Sequence, residues 1–259
     1  MTAVPTLIND RWELSLPPHR AVRPEWPVWE KERLAAMHDV IAAMAAQVAP
    51  DGPRDRPPVV YDIGAEEGDL PALWATWGAR VVLFEPDHRV WPNMRAIWEA
   101  NSLPPPIWSF AGFAGPETRQ PDNGTRLSDY IGSPWPACAT GDVIVDHGFL
   151  NLCERPDVPT VAIDDLAVSF PVYAAPDVIT IDVEGAELEV LHGARRTLGA
   201  ARPVVFVSVH PDFMHDMYDR TPDDVHRFMA DLGYDAELLA VDHEHHYKYT
   251  HPANQWPAP

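Results

Sequence analysis

The run Val59-Val60-Tyr61-Asp62-Ile63, followed at once by Gly64-Ala65-Glu66-Glu67-Gly68, constrains the fold more than any other stretch of this chain. The first part, rich in β-branched residues, reads as a buried strand. Gly64 permits a tight turn, and Gly68 is placed to let a ligand approach the backbone where a helix opens. Leu70 to Trp77 has helical spacing, with Gly78 as its stop. Arg80 to Phe84 (RVVLF) is a second strand, His88 to Ala100 a second helix, and Ile107 to Phe110 a third strand. This alternation predicts a parallel sheet wound by right-handed crossovers.

The alternation resumes after a gap. Asp177 to Asp182 (DVITID) and Pro203 to Val209 (PVVFVSV) are strands, Ala186 to Leu198 and Thr221 to Leu232 are helices, and Ala236–Val241 with Tyr247–Thr250 form a final antiparallel hairpin. Upstream, Met1 to Pro27 is proline-rich and irregular. Leu34, Met37, Val40, Ile41, Met44 and Val48 then make one apolar helical stripe, closed by the turn-rich Pro50 to Pro58. The domain organisation predicted is a segment over residues 1–58, carrying a possible lid, and a main domain over 59–259. Residues 115–159 form a long insertion of little pattern, with one strand-like run at Asp142 to Val145.

The turn restricts the cofactor. A dinucleotide would set its pyrophosphate on the helix N-terminus, where bare N–H groups favour an anion. Here Asp62, Glu66, Glu67 and Asp69 surround that spot. Four carboxylates repel a pyrophosphate but suit the ammonium and sulfonium of S-adenosylmethionine. Glu85 ends the second strand, where an acid accepts bonds from ribose hydroxyls. A nicotinamide-dependent oxidoreductase is the same-fold alternative, and a catalytically inactive binding domain is another. The formal net charge of −20 disfavours nucleic-acid partners. No apolar run reaches the ~20 residues that span a bilayer, and no secretory signal is visible, so the reading is soluble and cytoplasmic. Cys138 and Cys153, without CxxC spacing, read as free thiols.

Two segments carry a family resemblance. VVYDIGAEEGDLPALWATWGARVVLFEPDHRVWPNMRAIWEAN resembles the first half of an FkbM-type methyltransferase. VPTVAIDDL and VITIDVEGAELEVLHGARRTLGAARPVVFVSVHP are similar to its C-terminal signature, with IDVEGAE and the following LHGA the most specific piece. The resemblance spans Val59 to Pro211, with 115–159 matching poorly. It implies a Rossmann-like α/β fold: a seven-stranded, mostly parallel methyltransferase sheet with an antiparallel C-terminal hairpin and helices on both faces. It also implies S-adenosylmethionine-dependent O-methylation of a small-molecule or sugar hydroxyl, with neither nucleic acid nor membrane as partner. Asp62, Gly64, Ala65, Glu66, Gly68, Glu85, Pro86, Gly112, Phe113 and Asp182 are the cofactor-binding candidates. The chain departs from the family at Glu66, often Asn there, at Thr180, usually Lys, and at Ser208, commonly Glu.

Asp182 and His210 end the fourth and fifth strands, so both are expected at the crevice. Methyl transfer needs an acceptor oxygen in line with the S–CH3 bond and a group to take its proton. His210 is the candidate base and Asp182 the orienting acid. Asp182, Glu184 and His210, with the His243-Glu244-His245-His246 turn, are also a candidate divalent-metal set, although strand alternation should scatter those histidines to opposite faces. Trp26 and Trp29, flanking Pro27, are placed to lid the crevice; Trp74, Trp77, Trp91 and Trp98 read as core.

Overall fold

The computed structural model describes residues 3–49, 52, 54–132, 134–143, 157–169 and 175–254. The proline-rich start is ordered, contrary to the irregular stretch predicted. Val4–Ile8 (β1) and Trp12–Leu16 (β2) pair antiparallel, and Pro18–Ala21 forms a short helix, α1. Asn9 and Asp10, both at φ 53°, close the hairpin; these residue types tolerate the left-handed region. Lys31–Ala45 (α2) follows and buries Leu34, Met37, Ile41 and Met44, the predicted stripe.

The winding then begins with Val59–Ile63 (β3), Asp69–Thr76 (α3), Arg80–Phe84 (β4), Trp91–Ala100 (α4) and Trp108–Phe110 (β5). Among its described residues the poorly patterned insertion holds Ile131–Gly132 (β7), and it is flanked by Phe113–Ala114 (β6) before it and by Thr160–Val161 (β8) and Ile163–Ser169 (α5) after it. Ile144 and Val145 of the strand-like run, and Cys153, lie outside the described residues; Cys138 is a free, half-buried thiol. Val178–Ile181 (β9), Glu187–Gly193 (α6), Arg195–Ala201 (α7), Val204–Val209 (β10), Pro211–Tyr218 (α8) and Pro222–Asp231 (α9) continue the chain. Asp235–Val241 (β11) and His245–Thr250 (β12) are its last strands. The single helix predicted over 186–198 breaks at Ala194, and α8 was not predicted at all.

The main sheet runs β11-β12-β10-β9-β3-β4-β5-β7. β10, β9, β3, β4 and β5 are parallel, while β12 is antiparallel to β10. These are the seven strands expected, with the short β7 added antiparallel at the edge. β3, β9 and β10 are buried at every position, as central strands covered on both faces must be. The chain leaves β3 towards β4 on one side, yet β9 lies on the other, so the strand order reverses between β3 and β9. Open α/β sheets bind ligands above the carboxyl ends of strands at such a point. Register levels the ends: Ile63 pairs with both Phe84 and Ile181. Gly64, Glu85 and Asp182 therefore emerge side by side. Among the described residues, no helix is long and apolar enough to cross a membrane.

Candidate active site

A cleft of ≈ 680 Å³ opens over those strand ends. Of the predicted cofactor residues, Gly64, Glu85, Pro86, Gly112, Phe113 and Asp182 line it, and so does Glu184. Gly64 has φ +88°, and a Cβ there would stand 1.8 Å from the Asp182 carbonyl oxygen. Only glycine lets the β3 turn pass this close to the end of β9. Glu85 is held by two backbone donors: Glu66 N–H reaches Oε2 at 2.9 Å, and Asp87 N–H reaches Oε1 at 2.8 Å. Each oxygen keeps a further lone pair for a ligand. Burial pushes the Glu85 carboxyl up to about 8.

Asp62, Ala65, Glu66 and Gly68 are not on the cleft wall. Asp62 lies beneath the turn, accepts a hydrogen bond from Trp74 Nε1 at 3.2 Å, and is pushed up to about 7 by burial. At Gly68 the close neighbour is α4: a Cβ would meet Met94 Cγ at 2.4 Å. Glu66 occupies the left-handed region at φ 47°, a conformation for which asparagine is better suited. Its contribution to the cleft is the backbone N–H that fixes Glu85.

The four-carboxylate collar predicted around the turn is largely neutralised from behind. Arg20 of α1 is buried and donates to Asp69, with Glu67 Oε1 at 3.4 Å. His19 Nε2 lies 2.9 Å from Glu67 Oε2, which also accepts from Asn93 at 3.1 Å. Buried carboxylates persist only when paired and hydrogen-bonded, and α1 supplies the partner. Glu85 and Asp182, at the ends of β4 and β9, instead line the cleft. Trp26 and Trp29 lock the same N-terminal segment. Trp26 Nε1 donates to the Arg20 carbonyl at 2.8 Å, and the two rings meet edge-on with centroids 4.6 Å apart. Neither lines the cleft, and both pack within the segment.

Behind Asp182 lies a second group of charges. Arg33, buried in α2, donates to Asp182 Oδ2 at 3.0 Å, to Glu30 Oε2 at 2.7 Å and to Thr180 Oγ1 at 3.0 Å. A guanidinium from a distant helix thus lies against Thr180, the position where the resemblance leads one to expect lysine. His210 follows β10 and is 5% exposed. Its Nδ1 is 2.8 Å from Glu187 Oε1, and its Nε2 is 3.2 Å from Glu244, 3.5 Å from Glu184 and 3.8 Å from Asp182. Burial alone would lower the imidazole, but the Glu187 hydrogen bond and the fields of Asp182, Glu187 and Glu244 raise it to about 9. The histidine is not on the cleft wall. It stands behind Asp182 and Glu184, rather than on the crevice wall where it was expected.

At the last hairpin, alternation separates the side chains as expected: Glu244 and His246 are buried, whereas His243 is exposed. His246 Nδ1 lies 3.0 Å from Ser208 Oγ, and burial lowers this imidazole to about 4. Two contributors were given no site role by the sequence reading, Arg33 and Glu187, while Glu244, named there only within the hairpin turn, faces inward. Arg33 does lie on the apolar stripe of α2, four residues before Met37, and Glu187 lies four before Leu191. A charge on an apolar helix face is the signal that would have found both.

A glycine turn, a strand-end acid and Asp182 converging at the switch point of this sheet define the Rossmann-like class of S-adenosylmethionine-dependent methyltransferases. The family model for the methyltransferase FkbM domain matches residues 62–236, and the chain belongs to that family. Solved structures similar to it include the methyltransferase FkbM from Methylobacillus flagellatus KT, 18% identical with TM-score 0.47, covering 74% of this chain and 43% of that one. This chain therefore spans less than half of that relative. Magnesium protoporphyrin IX methyltransferase from Synechocystis PCC 6803 with bound SAM is 13% identical with TM-score 0.43, covering 89% and 85% respectively. Precorrin-6y C5,15-methyltransferase from Geobacter metallireducens GS-15 is 12% identical with TM-score 0.44, covering 92% and 93%. No curated protein sequence matches the chain.

Proposed function

We propose that the protein transfers the methyl group of S-adenosylmethionine to a hydroxyl oxygen of a small molecule or glycan. The reading is carried by one observation: Gly64, Glu85 and Asp182 meet in a single cleft that also exposes Glu184. Glu85 accepts the ribose hydroxyls, and Gly64 admits the amino-acid end of the cofactor beside Asp182. Pro86, Gly112 and Phe113, beyond the end of β4, bound the adenine side. The acceptor lies towards Asp182 and Glu184, one of which takes a hydrogen bond from its hydroxyl. As the oxygen–methyl bond forms, the S–CH3 bond breaks, the sulfonium becomes a thioether, and the hydroxyl proton passes to that carboxylate. His210 and Arg33 hold the carboxylates in place.

Calorimetry with S-adenosylmethionine and S-adenosylhomocysteine, set against NAD, tests the cofactor. Transfer of labelled methyl to a panel of hydroxylated acceptors tests the reaction. The expected result is binding of both sulfur nucleosides but not NAD, with Asp182→Asn losing at least about 100-fold in transfer. Tighter binding of NAD, or labelling confined to nitrogen acceptors, overturns the proposal.

A further inference from the structure

Large apolar side chains scattered singly over a surface need no explanation, whereas a group of them beside a cleft does. Among the described residues, three of the nine large hydrophobics left exposed fall on the eight-residue helix α8: Phe213, Met217 and Tyr218, at 48, 43 and 36%. Met217 and Tyr218 also line the cleft. We propose that α8 is the acceptor-binding wall, and that it selects an uncharged acceptor whose hydroxyl is borne on an apolar ring system rather than on a sugar. This rests on the methyl transfer proposed for the cleft and narrows its acceptor.

The chain sets this helix against the reacting end. β10 ends at Val209, and α8 opens at Pro211, where a missing N–H costs nothing. Met214, fully buried, anchors the inner face. Gly185 has φ +104°, and a Cβ there would stand 2.8 Å from Phe213 Cβ and 3.0 Å from Met217 Cε. With no side chain at 185, α8 lies directly on the turn that carries Asp182 and Glu184. The Phe213 ring stacks on His210, with centroids 5.9 Å apart and 23° between planes, and so packs the first turn of α8 in place. Val183 and Ala186, on that same turn, add to the apolar lining of the cleft.

A hydroxyl that reaches Asp182 or Glu184 therefore has its parent molecule against Met217 and Tyr218. A thioether adapts its shape to a ring edge, and a tyrosine ring offers a broad, rigid face. Covering the exposed part of Met217 alone is worth about five- to tenfold in affinity. Charge narrows the class further. Glu85, Glu117, Asp182, Glu184 and Glu189 line the cleft against one guanidinium, Arg119. Such a field disfavours phosphorylated and carboxylated acceptors.

Calorimetry on the full chain tests the wall, with S-adenosylhomocysteine at saturation so that the nucleoside end is filled. The probes are 2-naphthol and methyl α-D-glucopyranoside. The expected result is 2-naphthol binding with a Kd of about 10 μM to 1 mM, at least about tenfold tighter than the glucoside. Met217→Asn and Tyr218→Ser should each weaken it at least about fivefold, with S-adenosylhomocysteine affinity unchanged. Leu238→Asn, at an exposed apolar position on β11 that is not on the cleft wall, should leave it unchanged. Met217 and Tyr218 are both exposed, so their variants leave the core intact. Glucoside binding as tight as that of 2-naphthol, no 2-naphthol binding at millimolar concentration, or wild-type affinity in both wall variants overturns the proposal. S-adenosylhomocysteine binding without 2-naphthol binding overturns the wall alone. Binding of 2-naphthol that the wall variants weaken, without S-adenosylhomocysteine binding, supports the wall and overturns methyl transfer.

Discussion

Glu85 gives the proposed nucleoside end of the cleft a pH dependence that can be worked out in advance. Its carboxyl is pushed up to about 8 by burial, while both oxygens are aligned by backbone N–H groups. Ribose hydroxyls donate to the ionised form. With that pKa the ionised fraction is about 1% at pH 6, about 9% at pH 7 and about 50% at pH 8. Apparent affinity scales with the competent fraction, so Kd should fall about 50-fold between pH 6 and pH 8 and level off above. The sign is opposite for the cofactor-free fold. A carboxyl raised from 4.5 to about 8 keeps a proton that the unfolded chain has released, so stability declines as pH rises through that window. The assay is calorimetric titration with 5′-methylthioadenosine, which keeps the ribose but lacks the amino group that would titrate near the same pH. Glu85→Gln should bind weakly and without pH dependence. A wild-type Kd that moves less than about threefold from pH 6 to pH 8, or the same slope in Glu85→Gln, would refute the reasoning.

Other expectations concern stability. Gly64→Ala meets the Asp182 carbonyl at 1.8 Å at φ +88°, so it should lower stability by more than the ~1–3 kcal/mol of left-handed strain alone, read by urea unfolding. Arg33→Ala leaves Glu30 and Asp182 without their shared cation and should cost about 3–5 kcal/mol; Arg33→Lys, a point charge without the planar fork, should recover only part of it. Glu66→Asn should raise stability by about 0.5–1 kcal/mol by relieving the left-handed backbone, visible as a higher thermal midpoint. Removal of residues 1–30 takes Arg20 away from Glu67 and Asp69 and should unfold or severely weaken the turn, seen as lost nucleoside binding and faster proteolysis.

What was legible from the sequence follows from how locally each feature is encoded. β3, α3 and β4 carry their periodicity and glycine stop within a few residues of themselves, and the structure places them within one or two residues of expectation. Glu85 and Asp182 were legible because strand ends at a sheet's carboxyl edge converge whatever the side chains between them. The roles of Glu67 and Asp69 were not. Read locally they collar a cofactor; their true partners, His19 and Arg20, lie 46 or more positions upstream. His210 likewise took its place from the sheet but its environment from Glu187 and Glu244, which no short-range pattern joins. The N-terminal hairpin went unseen because prolines around it masked a five-residue alternation on each strand. The break at Ala194 has no glycine or proline of its own to announce it.

The bond between Arg33 and Asp182 spans 149 positions, and Glu244 arrives still later, on the final hairpin. During synthesis at roughly 5–20 residues per second, Arg33 would wait about 7–30 s before Asp182 is translated. Over that interval Glu30 is the acid within reach of Arg33, and docking the face early would bury the guanidinium without its bonds to Asp182 and Thr180. Full satisfaction of Arg33 thus requires β9. Premature collapse of the amino-terminal third is discouraged by the same guanidinium that later secures the acid at the centre of the sheet. A nascent or truncated chain ending before β9 would remain open to proteases and chaperones rather than settle into a partial fold.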